Sequence, residues 1–368
     1  MRYRRMPIEI ESPEELGYDA IANNLSESSC SDMRLADYEI DADVSELLLQ
    51  YGDHRGLPHL RELIAADGPP LGADDVIVTA GAAAALFAIA TALLGAGEHA
   101  VVASPNYATN LETPLALGAE VERLELRFED GWELDLGRLE AALRPQTRLL
   151  SLTYPHNPTG AMIDRATLEA IVDLVERHGG ARLLVDETYR ELAYGEPLPI
   201  AASLSKRAIS VSSMSKTFGL PGLRIGWLAC GDPELSETLL AAKEQILICG
   251  ATLDEEIAFR VLAERERILP PIRAKVERHL EIVRAWIEAQ DLFEWVEPRA
   301  GVVCFPRLRD ADGFDPDRFY DSLLREHGTY VGPGHWFGQP RHAFRLGFAW
   351  PRTEELERGL AGLAAAAG

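Results

Sequence analysis

The stretch from Ile209 to Cys230 reads ISVSSMSKTFGLPGLRIGWLAC, two apolar runs on either side of a polar, glycine-rich break. An apolar, β-favouring run breaks into Ser212-Ser213-Met214-Ser215, places a lone lysine, Lys216, at the edge of a Gly/Pro turn, and resumes as a second apolar strand, Ile225-Gly226-Trp227-Leu228. Lysine is rarely buried without a reason. When it is, its pKa falls and its amine becomes a usable nucleophile. The lysine therefore marks a site at the end of a strand.

Working outward, the same punctuation recurs. Residues 75–81 (DVIVTAG) followed by 82–97 (AAAALFAIATALLGAG) read as strand, Gly turn and helix. HAVVASP (99–105) and RLLSLTYP (148–155) read as buried strands ended by proline; ATLEAIVDLVERHG (166–179) is an amphipathic helix closed by glycine, and ARLLVDE (181–187) the strand after it. Strands that are apolar throughout and separated by helices indicate a mostly parallel sheet covered on both faces. Polar residues gather where these strands end: Gly81, Ser104 to Tyr107, His156-Asn157, Asp186-Glu187 and Ser213 to Lys216. In open α/β sheets that edge binds ligands. From about Leu292 onward, FEWVEPRAGVVCFPRL, TYVGPGHWF and AFRLGFA indicate short strands with helices packed on them, a smaller α+β domain that the N-terminal segment is expected to join.

The chain has 368 residues, 47% of them hydrophobic, enough for a large core and more than one domain. With 59 acidic against 36 basic residues the net charge is −23, which argues against nucleic acid or an anionic membrane as partner. No apolar run reaches transmembrane length, and the N-terminus lacks the apolar core of a secretory signal. The four cysteines, Cys30, Cys230, Cys249 and Cys304, are scattered without a CxxC pair and read as reduced thiols in a cytoplasmic protein. No HExxH or similar metal cluster is present, and no G-x-G-x-x-G follows a strand, so metal hydrolysis and a Rossmann dehydrogenase are both disfavoured.

Taken in order, SVSSMSKTFGLPGLRIGW, YPHNPTG (154–160), LLVDETYREL (183–192) and YGDHRGLPHLRELIA (51–65) resemble the motifs of the fold-type I pyridoxal-5′-phosphate (PLP) enzymes of the class I/II aminotransferase family. The resemblance runs from Tyr51 to Arg345. It implies an aspartate-aminotransferase-like α/β fold, with a large PLP-binding domain over residues 41–275, a small α+β domain over 276–368, and an N-terminal arm, 1–40, that belongs with the small domain. It also implies a cytoplasmic homodimer with shared sites, turning over an amino acid and a 2-oxo acid.

Carried over residue by residue, the resemblance makes Lys216 the amine that joins the cofactor aldehyde and later moves the substrate α-proton. Asp186 would hold the pyridinium nitrogen, a carboxylate at a buried strand end being costly unless paired; a helix cap is the alternative. Tyr189 would donate to the cofactor's phenolate oxygen, which Asn157 would share while bracing the substrate arginine. Gly81, Ala82 and Ala83 open a helix whose free N–H groups suit a phosphate. Ser213, Ser215 and Arg224 would join them, Ser213 fitting the family position better than Ser215, and Arg224 acting through a charged fork. Tyr107 would stack on the pyridine ring, or else be a surface turn tyrosine. Tyr51 would reach the phosphate of the neighbouring subunit. Arg345 would grip the substrate α-carboxylate, the alternative being an exposed strand arginine.

The mouth departs from the family pattern. NNLSESSCSDM (23–33) carries Ser26, Glu27, Ser28 and Asp32 where a glycine is usual. A polar loop or helix cap is the preferred reading. If Glu27 or Asp32 faces the site, it would receive a cationic side chain, and Glu27 is retained as a substrate-binding candidate. PGHWFG puts bulky His335 and Trp336 where they would narrow the pocket, and Cys249 and Thr252 lie where the partner subunit usually lends a loop. Three activities compete: amino transfer by a ping-pong cycle; β- or γ-elimination or cyclisation of a hydroxylated arginine-type amino acid; and a non-catalytic sensor. The last is disfavoured by the acidic composition, the absence of a helix-turn-helix leader and the retained lysine.

Overall fold

The computed structural model describes residues 3–40 and 43–368; residue 41, the expected start of the large domain, lies outside them. The centre is a seven-stranded sheet: β1 (Val76–Thr79), β2 (His99–Ser104), β3 (Glu120–Glu125), β4 (Thr147–Thr153), β5 (Arg182–Asp186), β6 (Ala208–Ser213) and β7 (Gly226–Cys230). In space they run β1-β7-β6-β5-β4-β2-β3. Only β7 is antiparallel to its neighbours, pairing with β1 and β6. The expected mostly parallel sheet is therefore present. It has one member the sequence pattern did not reveal: β3, EVERLE, is a half-exposed edge strand with no apolar run to announce it.

Alternation along each strand feeds two cores. Leu183 and Val185 of β5 face the helix Arg165–His178 through Leu168, Ile171 and Val175, while Leu184 faces the helix Gly81–Leu93 through Ala85, Leu86 and Ile89. The former helix starts where Asp164 accepts from the Thr167 N–H at 2.8 Å and stops at Gly179, in the left-handed conformation.

The second unit is built on Phe344–Gly347, flanked antiparallel by Val303–Cys304 and Gly332–Pro333. The N-terminal segment enters it as Asn23–Asn24, parallel to Thr329–Tyr330. The long helix Arg265–Glu288 passes from one body to the other: Ile268 and Leu269 pack with the β1 side of the large sheet, Val276, Leu280 and Val283 with Phe344 and Leu346. Among the described residues no helix is long and apolar enough to cross a membrane.

Candidate active site

Because β1, β2, β4, β5 and β6 are parallel, their C-terminal ends open on one edge. β7 runs the other way, so its start lies on the same edge and brings Arg224 there. A cavity of about 470 Å³ occupies this edge beneath the N-terminal segment. Its lining includes Ala82, Ala83, Tyr107, Asn157, Asp186, Tyr189, Ser213, Ser215, Lys216, Arg224 and Arg345, together with Glu27.

One end of the cavity is made for an anion. The helix Gly81–Leu93 begins on Gly81 at φ +78, with its first N–H groups unbonded within the helix; Ala82 and Ala83 line the cavity, whereas Gly81 itself does not. A Cβ at Gly81 would collide with Arg224 Nη2, and a Cβ at Gly226 would collide with the backbone of Gly81 and Ala82. Two glycines thus let the guanidinium and the start of β7 close on the helix terminus.

At the C-terminal end of β5, Asp186 is buried and takes the Thr188 N–H at 3.1 Å and hydroxyl at 2.5 Å on the same oxygen, Oδ1. Burial pushes its pKa up, opposed by the Thr188 bonds and the Lys216 charge. No cation is paired with this carboxylate among the described residues, so it suits a ligand N–H⁺. Lys216 Nζ donates to Ser28 Oγ at 3.1 Å. Burial pulls the Lys216 ammonium below its usual range, with Glu27 opposing and Arg345 reinforcing. Arg345, 5% exposed, donates from Nη1 to Asn157 Oδ1 at 3.1 Å and from Nη2 to the Ser26 carbonyl at 2.7 Å, and sits over the Phe337 ring at 5.0 Å. Its Nε has no partner. The guanidinium is therefore held by neutral acceptors only, ready for a carboxylate.

Several expectations change in detail. The Tyr189 hydroxyl donates to the Ser28 carbonyl at 2.7 Å rather than pointing an uncommitted proton at a cofactor oxygen, because the Cys30 N–H bonds the Lys216 carbonyl at 2.9 Å and folds this loop over the tyrosine. Glu27 stands in an irregular loop, as the preferred sequence reading has it, and also lines the cavity, whereas the Asp32 carboxylate accepts from Trp350 Nε1 at 3.1 Å. Trp336 is part of the lining but His335 is not; His335 Nε2 and Trp336 Nε1 both meet Glu11 Oε2, at 2.9 and 2.8 Å. Tyr51 is 83% exposed and lies outside the cavity. Ser28 and Thr188 were not given roles from sequence. For Ser28 the missing glycine was the available signal; Thr188 had none beyond its place after Asp186.

A phosphate cradle, a buried carboxylate without a cation, and a lysine between them define a site that fits PLP: Gly81 to Ala83, Ser213, Ser215 and Arg224 would hold its phosphate and Asp186 its ring nitrogen. Comparison with known proteins gives the class. The chain belongs to the aminotransferase class I and II family, whose model matches residues 22–363; members of this family use PLP. It is similar to capreomycidine synthase of Streptomyces vinaceus, 32% identical over 324 residues that cover 87% of this chain and 82% of that one. It is also similar to arginine–pyruvate transaminase of Pseudomonas aeruginosa, 31% identical over 300 residues, 78% of this chain and 75% of that one. The crystal structure of a PLP-dependent cyclase superposes with a TM-score of 0.89 at 29% identity, covering 99% of this chain and 97% of that one.

Proposed function

We propose that this protein is a PLP-dependent aminotransferase that moves the amino group of an α-amino acid to a 2-oxo acid in a ping-pong cycle, and that it works in the cytoplasm as a homodimer. The observation that carries the reading is Lys216, its amine inside the same cavity as the cation-free Asp186 carboxylate and the carboxylate-free Arg345 guanidinium. When bound, PLP supplies an electron sink for the charge left as the substrate's α-C–H bond breaks. Arg345, held by Asn157 and the Ser26 carbonyl, binds the α-carboxylate and orients the substrate. Lys216 takes the α-proton on Nζ and returns it during amino transfer; a lowered pKa keeps part of the amine neutral for that task. Asp186 would hold the ring-nitrogen proton of the bound cofactor.

Support for the dimer comes from Leu48, Leu49 and Tyr51, all highly exposed, beside exposed Ile246, Ile248 and Leu253, the two segments being tied where Thr252 Oγ1 donates to the Gln50 carbonyl at 3.3 Å. In a dimer this patch is covered, Tyr51 extends to the partner's phosphate cradle, and Cys249 and Thr252 border the partner's site. Sedimentation velocity tests this: a monomer at micromolar concentration would sink it. Free cysteines and the absence of a long apolar helix among the described residues support the cytoplasm.

The testing experiment is a half-reaction. Protein loaded with PLP is mixed with a panel of amino acids without any 2-oxo acid, beside Lys216→Ala. Loss of the lysine-linked cofactor's absorbance with stoichiometric 2-oxo acid formed establishes transfer. A second reading, elimination or cyclisation, is favoured by the likeness to the PLP-dependent cyclase; release of ammonia, or a cyclic product with the absorbance recovering through turnover, would establish it instead.

A further inference from the structure

We infer that Glu27 receives the cationic end of the substrate's side chain, so that the amino donor is a basic α-amino acid carrying a guanidinium or ammonium group. The inference rests on the aminotransferase reading and adds the substrate class to it.

Charges around the cavity can be matched pair by pair. Its cations are Lys216, Arg224 and Arg345; its anions are Asp186 and Glu27, with Glu9 and Glu14 at the rim. Arg224 stands at the phosphate cradle, Asp186 serves a ring nitrogen, and Lys216 ceases to be an ammonium once joined to the cofactor. Arg345 is nine-tenths buried, bonded only to neutral acceptors and left with a partnerless Nε, so it calls for the α-carboxylate. Glu9 and Glu14 are exposed to water, so Glu27 is the partly buried carboxylate of the lining left without an assigned opposite charge. That carboxylate is partly buried, enters no ion pair among the described residues, and is offered one side-chain hydrogen bond, from the Tyr18 hydroxyl at 3.2 Å. Burial raises the Glu27 pKa, opposed by the Lys216 and Arg345 charges across the cavity and reinforced by Glu14. A ligand cation offsets the cost of that burial.

The spacing of the two poles is built into the backbone. Ser26 gives its carbonyl to Arg345, and Glu27 is the next residue. The Gly347 N–H bonds the Leu25 carbonyl at 2.7 Å, and any side chain at Gly347 would strike the Glu27 carbonyl. The strand that carries Arg345 therefore fixes where Glu27 stands. Tyr18, stacked on Trp350 at 6.1 Å and 15°, holds the far side of the carboxylate. A substrate seated here needs an anion at one end and a cation at the other, which describes arginine, lysine and their derivatives and excludes dicarboxylic donors.

The test uses the PLP-loaded protein with L-arginine, L-lysine, L-norleucine and L-glutamate. Binding is read by calorimetry on the PLP-loaded Lys216→Ala variant, and the half-reaction by absorbance on the otherwise unaltered chain. L-arginine or L-lysine is expected to bind about 10- to 100-fold tighter than L-norleucine, the range of a hydrogen bond to a charged group. Glu27→Gln abolishes that preference while leaving L-norleucine within about 3-fold, and Glu27→Asp restores part of it. Equal affinity for L-norleucine or L-glutamate, or an equal loss for all four in Glu27→Gln, overturns the inference while cofactor and transfer stand. Absence of a Lys216-dependent absorbance overturns the aminotransferase reading, and the inference with it.

Discussion

The strand-end edge and the N-terminal segment meet over the same cavity but are held in place by different means. Asp186, Ser213 and Asn157 lie at or just past the ends of strands whose register is set by continuous ladders: Thr153 pairs with Asp186, and Asp186 with Val211. The N-terminal segment has only the two-residue pairing of Asn23–Asn24 with Thr329–Tyr330; beyond it, residues 25–30 are placed by separate long-range bonds such as Cys30 N–H to the Lys216 carbonyl and Gly347 N–H to the Leu25 carbonyl. A ladder fixes the position of each side chain through paired neighbours on both sides. The loop that carries Glu27 is buried on both sides of that residue but has no ladder to set its register. Substitution can change what is accepted there without disturbing how it reacts.

That contrast can be broken by mutation. Lys216→Ala has the largest expected effect: turnover falls by about 10⁴-fold or more, and the lysine-linked absorbance disappears, read by stopped-flow and static spectra. Asp186→Asn keeps the shape and removes the charge; half-reaction rates fall by about 10²- to 10³-fold and PLP binds more weakly, as measured by fluorescence titration.

The edge also carries a stability signature. His156 is buried, bonded to Thr159 Oγ1 at 2.7 Å and to the Pro105 carbonyl at 2.9 Å, and burial lowers its pKa from 6.5 to about 4. The unfolded chain therefore binds this proton first, and the stability that depends on neutral His156 is full above pH 6.5 and lost as pH falls towards 4. Glu187, raised by burial from 4.5 to about 7, acts oppositely: what it contributes is full below pH 4.5 and lost as pH rises to 7. His156→Gln should remove about 3 kcal/mol of acid-linked loss relative to the parent chain between pH 6.5 and 4. Urea midpoints at both pH values check this; an unchanged difference would place the acid sensitivity elsewhere.

The smallest effect belongs to the N-terminal segment. Ser28→Gly removes the hydroxyl that takes the Lys216 proton and leaves the backbone carbonyl bonded to Tyr189. The half-reaction should slow by only about 3- to 10-fold, and the Lys216 amine should titrate at lower pH, since a bond favouring its charged form is lost. NMR of the ¹³C-methylated lysine in the cofactor-free protein reads that shift. A loss as large as that of Lys216→Ala would erase the distinction between the two regions.

Much of the architecture was legible. Apolar runs located every strand of the large sheet except β3, whose Glu and Arg residues suit an edge half in water and so carry no burial signal. The edge residues were legible for a related reason: each follows its strand by a short, regular interval, so a local motif is also a position in space. The amino-acid sequence by itself determined the sheet, the lysine-bearing edge and the family. The tertiary structure decided that Glu27 faces the cavity while Asp32 turns to Trp350, that Ser28 touches Lys216, and that Trp336 lines the wall while His335 anchors Glu11. Periodicity reports which side of a regular element is buried. An irregular segment has no period, and its side chains are directed by partners hundreds of residues away.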